Sequence, residues 1–444
     1  KRARLLARWV EGARIDPVRI SPDLVPNISK ALSLQAADGQ TEILTVNESI
    51  HDHAYELAVL EDNPGAAGSA TWSGTGRLVA GTKARLTQVY KAGQHMGVGA
   101  GLLLAKHWTY PWSLQAAVPS ANNFIRVSGR AGVEFEMNTV VRDGLHGGMY
   151  RGERLPFIEI VSGSIRKGDT ITIEYGAGAD GFILPDEADD HFELPIYARL
   201  QADSPLVRVP VSSLAIEPGD PERLRVVVPS VTRTGEAVAI RVRIEDRLGN
   251  VARGDFPSLE ILRDGIFVGR IPAGQSPVPV FENLQFDTPG LHWIELRSSG
   301  GGLSGRSNPV LVVDGDPEYR ILWADLHRDT TRSVGIREPD EVERNTLEDI
   351  VLAVDHDNYL SSNVWKAIQE EGLVNGFVRS APLAGGGHQV VLTRSRVTAE
   401  DVLRDAFPSL RSLMRGLQPD NTLLMPLAEI PGDFRFPAPA MTRL

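Results

Sequence analysis

The sequence predicts a multidomain β plus α/β protein: two antiparallel β-sandwiches followed by a partial βα barrel. Two observations predict the sandwiches. Apolar and polar residues alternate in short runs from about residue 41 to 313, and Gly 43 with Pro 29 supply many turns. A third predicts the α/β part, and the resemblance given below implies that it is a partial barrel. From Tyr319 onward apolar runs alternate with helical patterns, the order of βα units. At 444 residues the chain is too long for one core. The composition shifts divide it into a helical arm (1–40), a β-sandwich (41–208), an immunoglobulin-like sandwich (209–315) and an α/β segment (316–444).

In the arm, Leu5, Leu6, Trp9 and Val10 follow helical spacing, and Ser21-Pro22-Asp23 signals a second helix start. In the first sandwich, Ile171, Ile173 and Tyr175 alternate with Thr170, Thr172 and Glu174 after a Lys167-Gly168-Asp169 turn, and Gly176 ends the run. Gly97-Val98-Gly99-Ala100-Gly101 has neither the Lys-Ser/Thr ending nor the helix of a phosphate loop, so a β-bulge is expected. In the second sandwich, Val238, Ile240, Val242 and Ile244 face inward and Arg241, Arg243 and Glu245 outward, closed by the turn Arg247-Leu248-Gly249-Asn250. Leu291 to Leu296 reads as another strand. Beyond the Asp314–Pro317 linker, 339–349, 364–371 and 399–417 read as helices, and 388–393 and 422–427 as strands.

The formal charge of −11 argues against a nucleic-acid-binding surface and an anionic membrane face. No apolar run is long enough to span a membrane. Cysteine is absent, which excludes disulfides and thiolate metal sites and leaves the compartment open between cytoplasm and export. The first residue is Lys1, so a removed leader or a trimmed chain is expected; 1–10 has no cleavage-site pattern.

The segment Tyr319–Asp357 carries the chemistry. Ile321-Leu322-Trp323 leads into Asp325-Leu326-His327-Arg328-Asp329, and the run 350–354 leads into Asp355-His356-Asp357. Buried strands that stop at polar clusters place them at the carboxyl end of a parallel sheet, where α/β enzymes keep their sites. His and carboxylate side chains from successive strand ends can hold a hydrolytic metal. The same cluster can instead be a polar layer closing the barrel end by mutual hydrogen bonds. Asp325 is expected to fix its loop and Asp357 to cap a helix. Other clusters read as structural. His51-Asp52-His53 is expected to be a solvated loop, and Asp186–His191 an exposed acidic loop without an EF-hand pattern. His107–Trp112 reads as aromatic core or subunit interface, with Trp108 and Trp112 as contact anchors. There is no Gly-x-Ser-x-Gly elbow.

The co-linear order of Val98–Leu104, Ser164–Ile173, Pro229-Ser230, Glu245–Asn250, Ser307–Val312 and the Trp323-x-Asp325-Leu326-His327 strand resembles one family. It is the branch of the PHP (polymerase and histidinol phosphatase) superfamily known only as a domain of unknown function. The resemblance implies a distorted (β/α)7 barrel binding divalent metal, Zn or Mn, for phosphoester hydrolysis. His327 matches the first His of a His-x-His motif, with Asp329 in place of the second. Asp355 and His356 match an Asp-His motif, and the Gly385–His388 loop brings His388 near the site. The Gly-Tyr-Glu-like strand end reads Phe377-Val378-Arg379-Ser380, without a carboxylate, and the last strand end, Met425–Glu429, has no His. Residues 321–444 leave room for about four βα units at roughly 25–35 residues each. The resemblance therefore implies a degenerate member acting as a structural or accessory subunit, with the open sheet edge covered by the chain's own arm, a second copy or another protein partner. The alternative is an active metal-dependent hydrolase using the same residues.

Overall fold

A computed structural model describes residues 59–74, 76–107, 110, 113–115, 118–142, 153–178, 180–328, 330, 341–342, 345–348, 350–353, 355–356, 375–383, 387–393 and 422–426. The expected arm, His51-Asp52-His53, Trp108, Trp112, Asp329 and the helices expected over 364–371 and 399–417 lie outside them.

Two sheets face each other in the first sandwich. One has the strand order Ser69–Ser73, Leu86–Lys91, Thr170–Tyr175, Ile125–Gly129; the other runs Leu206–Arg208, Ile196–Arg199, Gly101–Leu104, Glu153–Ser162, Glu134–Arg142. Every pairing within these two sheets is antiparallel. The predicted alternation in Thr170–Tyr175 holds: Ile171, Ile173 and Tyr175 are fully buried against Leu102, Leu104, Ile158 and Ile196 of the facing sheet. Each such side chain contributes about 1.5–3 kcal/mol by leaving water. The core also holds one polar thread. Tyr175 donates its hydroxyl to Gln88 Oε1 at 2.8 Å, and Gln88 Nε2 donates to the Leu194 carbonyl at 3.2 Å. Burial keeps the Tyr175 hydroxyl protonated, well above its ordinary range.

The glycine-rich stretch is a tight turn that runs into the expected bulge: Gly99 N–H donates to the Ile160 carbonyl and Ile160 N–H to the Ala100 carbonyl, both at 2.9 Å, so two residues oppose one. Ala100 N–H donates to the Gly97 carbonyl at 3.1 Å, and Gly99 sits at φ +83°, where a Cβ would lie 2.7 Å from Ala202 Cβ. The turn feeds Gly101–Leu104, a strand buried throughout.

The second sandwich has its own core, from Leu224 to Val312, with Ile240, Val242, Phe286, Ile294 and Leu296 fully buried. Strand Val238–Glu245 pairs antiparallel with Arg223–Val227 and Val280–Leu284. Across the core, Leu259–Arg263 lies between Ile266–Ile271 and Ile294–Ser298. The expected strand over 291–296 is really two strands in two sheets. Gly290–His292 pairs with Val310–Val313, whereas Ile294–Ser298 pairs with Leu259–Arg263. The break at Trp293 is fixed by Asp264, which has φ +50°. Its carboxylate accepts from Trp293 N–H at 3.0 Å and lies 2.6 Å from His292 Nδ1. Strands that change sheet at such corners are common in sandwiches.

The C-terminal part departs from the expected barrel. Strand Ala324–Arg328 runs parallel to Ile350–Ala353, and Asp355–His356 runs parallel to Asn375–Leu383. From there the described strands turn antiparallel: Asn375–Leu383, Gly387–Thr393 and Thr422–Pro426 form a meander. The reason is the short link between Leu383 and Gly387, which face each other in the ladder. A parallel return needs a crossover of about a dozen residues or more, so this link permits only a hairpin. Thus the described residues form a mixed sheet there rather than successive βα units. The apolar lead-in is also different. Ile321, Leu322 and Trp323 precede the strand and are 56%, 56% and 44% exposed, where a buried strand was expected. Trp323 reaches back to the second sandwich, donating its indole N–H to Ser230 Oγ at 2.9 Å.

Among the described residues no helix is long and apolar enough to cross a membrane.

Candidate metal centre and its platform

The backbone brings part of the predicted site together. Asp325 lies opposite Val351 and Arg328 opposite Ala353 in the parallel pair. His327 therefore stands at the carboxyl end of its strand. Asp355 and His356 follow just beyond Ala353, at the same end of the neighbouring strand. His388 is placed elsewhere. His356 pairs with Val378, which pairs with Val390, so His388 is two strands over and two residues further along. That is roughly 10 Å across the sheet and 7 Å along it. Arg379 and Ser380 stand in the strand beside His356. For His327, Asp355, His356 and His388 the description extends to the backbone only. Among the residues described in full, no group of three or more His, Asp or Glu side chains gathers as a metal site.

The strand carrying Asp355 and His356 is preceded by a segment that the sequence reading misplaced. Glu341 and Val342 are helical, but 345–348 is not, so the helix expected over 339–349 does not continue there. Instead 345–348 lies as a strap on the outer face of Val238–Glu245. Arg241 Nη1 donates to the carbonyls of Leu347 and Glu348, at 3.2 and 3.0 Å. Arg243 Nη1 donates to the Asn345 carbonyl at 3.0 Å, while its Nη2 lies 2.7 Å from Glu245. Glu245, 1% exposed, also accepts from Arg223 at 2.8 Å. Leu347 is fully buried beneath the strap. The face expected to meet water is therefore an interface. Arg225 is directly opposite Arg243 in register. Like charges so placed repel unless carboxylates lie among them. Glu348 is 3.7 Å from Arg225. Burial pushes the Glu348 carboxyl up, but the Thr346 hydroxyl, the Leu347 N–H and the Arg243 charge outweigh it and hold it below the usual range.

A second junction joins the two sandwiches. Asp246, 1% exposed, accepts from the N–H groups of Gly219, Leu248 and Asn250 and from Asn250 Nδ2, at 2.8–2.9 Å. Gly249 permits the turn with φ +98°. Asn250 then reaches the acidic loop of the first sandwich: its Oδ1 accepts from Ala188 N–H and its Nδ2 donates to the Asp186 carbonyl, both at 2.8 Å. The expected exposed loop is only partly exposed, and its second half belongs to the strand Asp189–Phe192, paired with Leu214–Glu217. Asp189 is buried, accepts from Tyr110 and His191 N–H, and has its carboxyl pushed up by burial. Tyr110 is itself core, 4% exposed and packed 5.6 Å from Phe192, so this member of the aromatic segment is not a free contact anchor. Where the two junctions meet lies a cavity of about 270 Å³, lined by Asp186, Glu187, Arg243, Asn250, Glu341 and Thr346 among others.

These shifts set opposite responses to acid. In the second sandwich and its strap, Asp246, Asp264 and Glu348 are held below their ordinary values, because hydrogen-bond donors outweigh burial. Their stabilisation is present above the unfolded pKa of about 4 and is lost as pH falls through the lower native values. In the first sandwich the surface carboxyl of Asp169 is held low by the Arg166 N–H, but burial raises Asp189 and Glu193. Their penalty grows as pH rises from about 4 through the native values and is absent below. Amide exchange between about pH 6 and 3 should therefore show the second sandwich loosening first. Earlier loosening of the first would contradict these assignments.

No family model matches the sequence, and no curated protein matches it. Solved structures resembling parts of it include the CARDB domain of PF1109 from Pyrococcus furiosus, at 12% identity and TM-score 0.16 over 21% of this chain and 98% of that one. The D0-D1 domain of intimin is 10% identical, with TM-score 0.18, over 55% of this chain and 97% of that one. InvD of Yersinia pseudotuberculosis is 11% identical, with TM-score 0.22, over 58% of each chain. Likenesses at these scores carry no functional conclusion.

Proposed function

We propose that this chain is a PHP-like accessory protein: a β-sandwich platform holding a C-terminal domain that binds a single divalent metal and has lost phosphoesterase turnover. The observation that carries the reading is that His327 lies at the carboxyl end of Ala324–Arg328, while Asp355-His356 follow just beyond the same end of its parallel partner Ile350–Ala353. A His/carboxylate set of this kind suits Zn²⁺ or Mn²⁺. Loss of turnover is read from the neighbouring positions. Asp329 replaces a motif His, and Arg379-Ser380 stand where a relative with a bridging carboxylate would present it. Arginine there repels a second cation, so a two-metal clamp on both phosphoester oxygens is disfavoured. His388, two strands away, is assigned outside the ligand set. An assembly role is supported by the edge strand Ile266–Ile271, where Ile266 and Phe267 are 67% and 57% exposed. Such an edge invites pairing with a second copy or another protein.

Calorimetric titration of the full chain with Mn²⁺ and with Zn²⁺ tests the reading. One equivalent should bind, and His327→Ala or His356→Ala should each weaken it at least tenfold. p-Nitrophenyl phosphate should not be turned over. Absence of binding by either metal would remove the metal assignment. Two bound equivalents with turnover would make the protein an enzyme.

A further inference from the structure

We infer that Arg241 and Arg243 are positioning residues for the metal centre, acting through the strap 345–348 on the outer face of the second sandwich. The inference rests on the reading of His327, Asp355 and His356 as ligands. Only Asp349 separates Glu348 from the strand Ile350–Ala353, which leads directly to Asp355 and His356. The partner strand carrying His327 is tied separately, through Trp323 to Ser230 and Arg320 to Glu236 at 3.3 Å. Each half of the ligand set thus has its own anchor on the same sandwich.

The chemistry of the strap anchor suits alignment. Both arginines bond main-chain carbonyls, so they fix the path of the backbone whatever side chains it bears. Arg241 reaches two successive carbonyls from the one nitrogen Nη1, so a lysine ammonium keeps part of the contact but loses the fixed orientation of the planar guanidinium. Arg243 is held from behind by buried Glu245, so its orientation is set before the strap arrives. Leu347, fully buried, prevents the strap from sliding. A slip of one residue would move the strand by about 3.3 Å. Metal–ligand distances tolerate about 0.2 Å. Loss of the anchor should therefore be felt at the metal before it is felt by the fold.

The test uses the full chain, with Arg241→Ala, Arg241→Lys, Arg243→Ala and, as a control, Arg270→Ala. Arg270 pairs with Glu260 at 3.0 Å on the other sheet of the sandwich and does not touch the strap. Mn²⁺ affinity is read by calorimetry and strand order by amide exchange over 345–356. In Arg241→Ala and Arg243→Ala, affinity should fall about tenfold and exchange over 350–353 should rise about tenfold, with core amides of 238–244 unchanged. Arg241→Lys should fall between, and Arg270→Ala should match the parent. If the parent binds Mn²⁺ and the arginine variants bind it equally, the positioning role is wrong. If the parent binds neither Mn²⁺ nor Zn²⁺, the ligand assignment has failed instead. Exchange over 350–353 then decides whether the strap positions the strand, and unchanged exchange refutes that too. Should Arg243→Ala unfold the sandwich, Arg241→Ala and Arg241→Lys carry the test, because Arg241 does not share the buried Glu245.

Discussion

Replacing Asp246 by Ala should cost the second sandwich about 3 kcal/mol, the largest effect expected of any single substitution outside the apolar core. The carboxylate gathers the N–H groups of Gly219, Leu248 and Asn250 together with the Asn250 amide. Removing it strands those donors in a site that is 1% exposed. Each buried orphan costs about 1–3 kcal/mol, and water entering the gap recovers part of the sum. The loss is large against a domain stability of about 5–15 kcal/mol. It should appear as a lower urea midpoint at unchanged slope. Asp246→Asn keeps the shape but turns one acceptor into a donor, so it should fall between. Asn250 would lose its orientation, and exchange at the Ala188 amide of the first sandwich should rise as well. A midpoint within experimental scatter of the parent would show that the turn is held by its glycine and not by the carboxylate.

Glu245→Ala should follow closely, again at about 3 kcal/mol, since breaking a buried ion pair leaves its partner charge uncompensated. Arg243, with 12% of its side chain exposed, would face Arg225 across the ladder with no carboxylate at 2.7 Å to offset the repulsion. Arg223 is half exposed and finds water, so it adds little. A double-mutant cycle with Arg243→Ala separates the two roles of the carboxylate. The pair should couple by at least about 1 kcal/mol, because the second substitution removes the charge that the first left stranded. Strict additivity would mean that Glu245 serves Arg223 alone.

Much of the β architecture was legible because strands report their environment locally. In Thr170–Tyr175 and Val238–Glu245 the alternation gave the inward residues correctly, and the turns at Gly168 and Arg247–Asn250 are where the sequence puts them. What failed was non-local. Arg241 and Arg243 look like a wetted face, since nothing nearby in sequence reveals a strap about a hundred residues later. The run 291–296 looks continuous because the sheet change at Trp293 depends on Asp264 in another hairpin. Ile321–Trp323 looks like a buried strand because hydrophobicity does not distinguish a strand from an exposed lead-in. Of the candidate site, the backbone gives the strand ends that carry His327 and Asp355-His356, while the ligand set itself rests on residue type and motif. His388 stands two strands from His356, and a glycine loop reads alike whether it borders a site or closes a hairpin.

The choice of arginine for the strap's landing face has a consequence during synthesis. The contacts that Arg241 and Arg243 make with the strap join residues 102–107 positions apart, so the strand Val238–Glu245 emerges from the ribosome well before the strap that covers it. Chains grow at about 5–20 residues per second, so the face waits bare for several seconds. An apolar face left open that long would recruit neighbouring nascent chains. A cationic one stays hydrated until the carbonyls of the strap arrive.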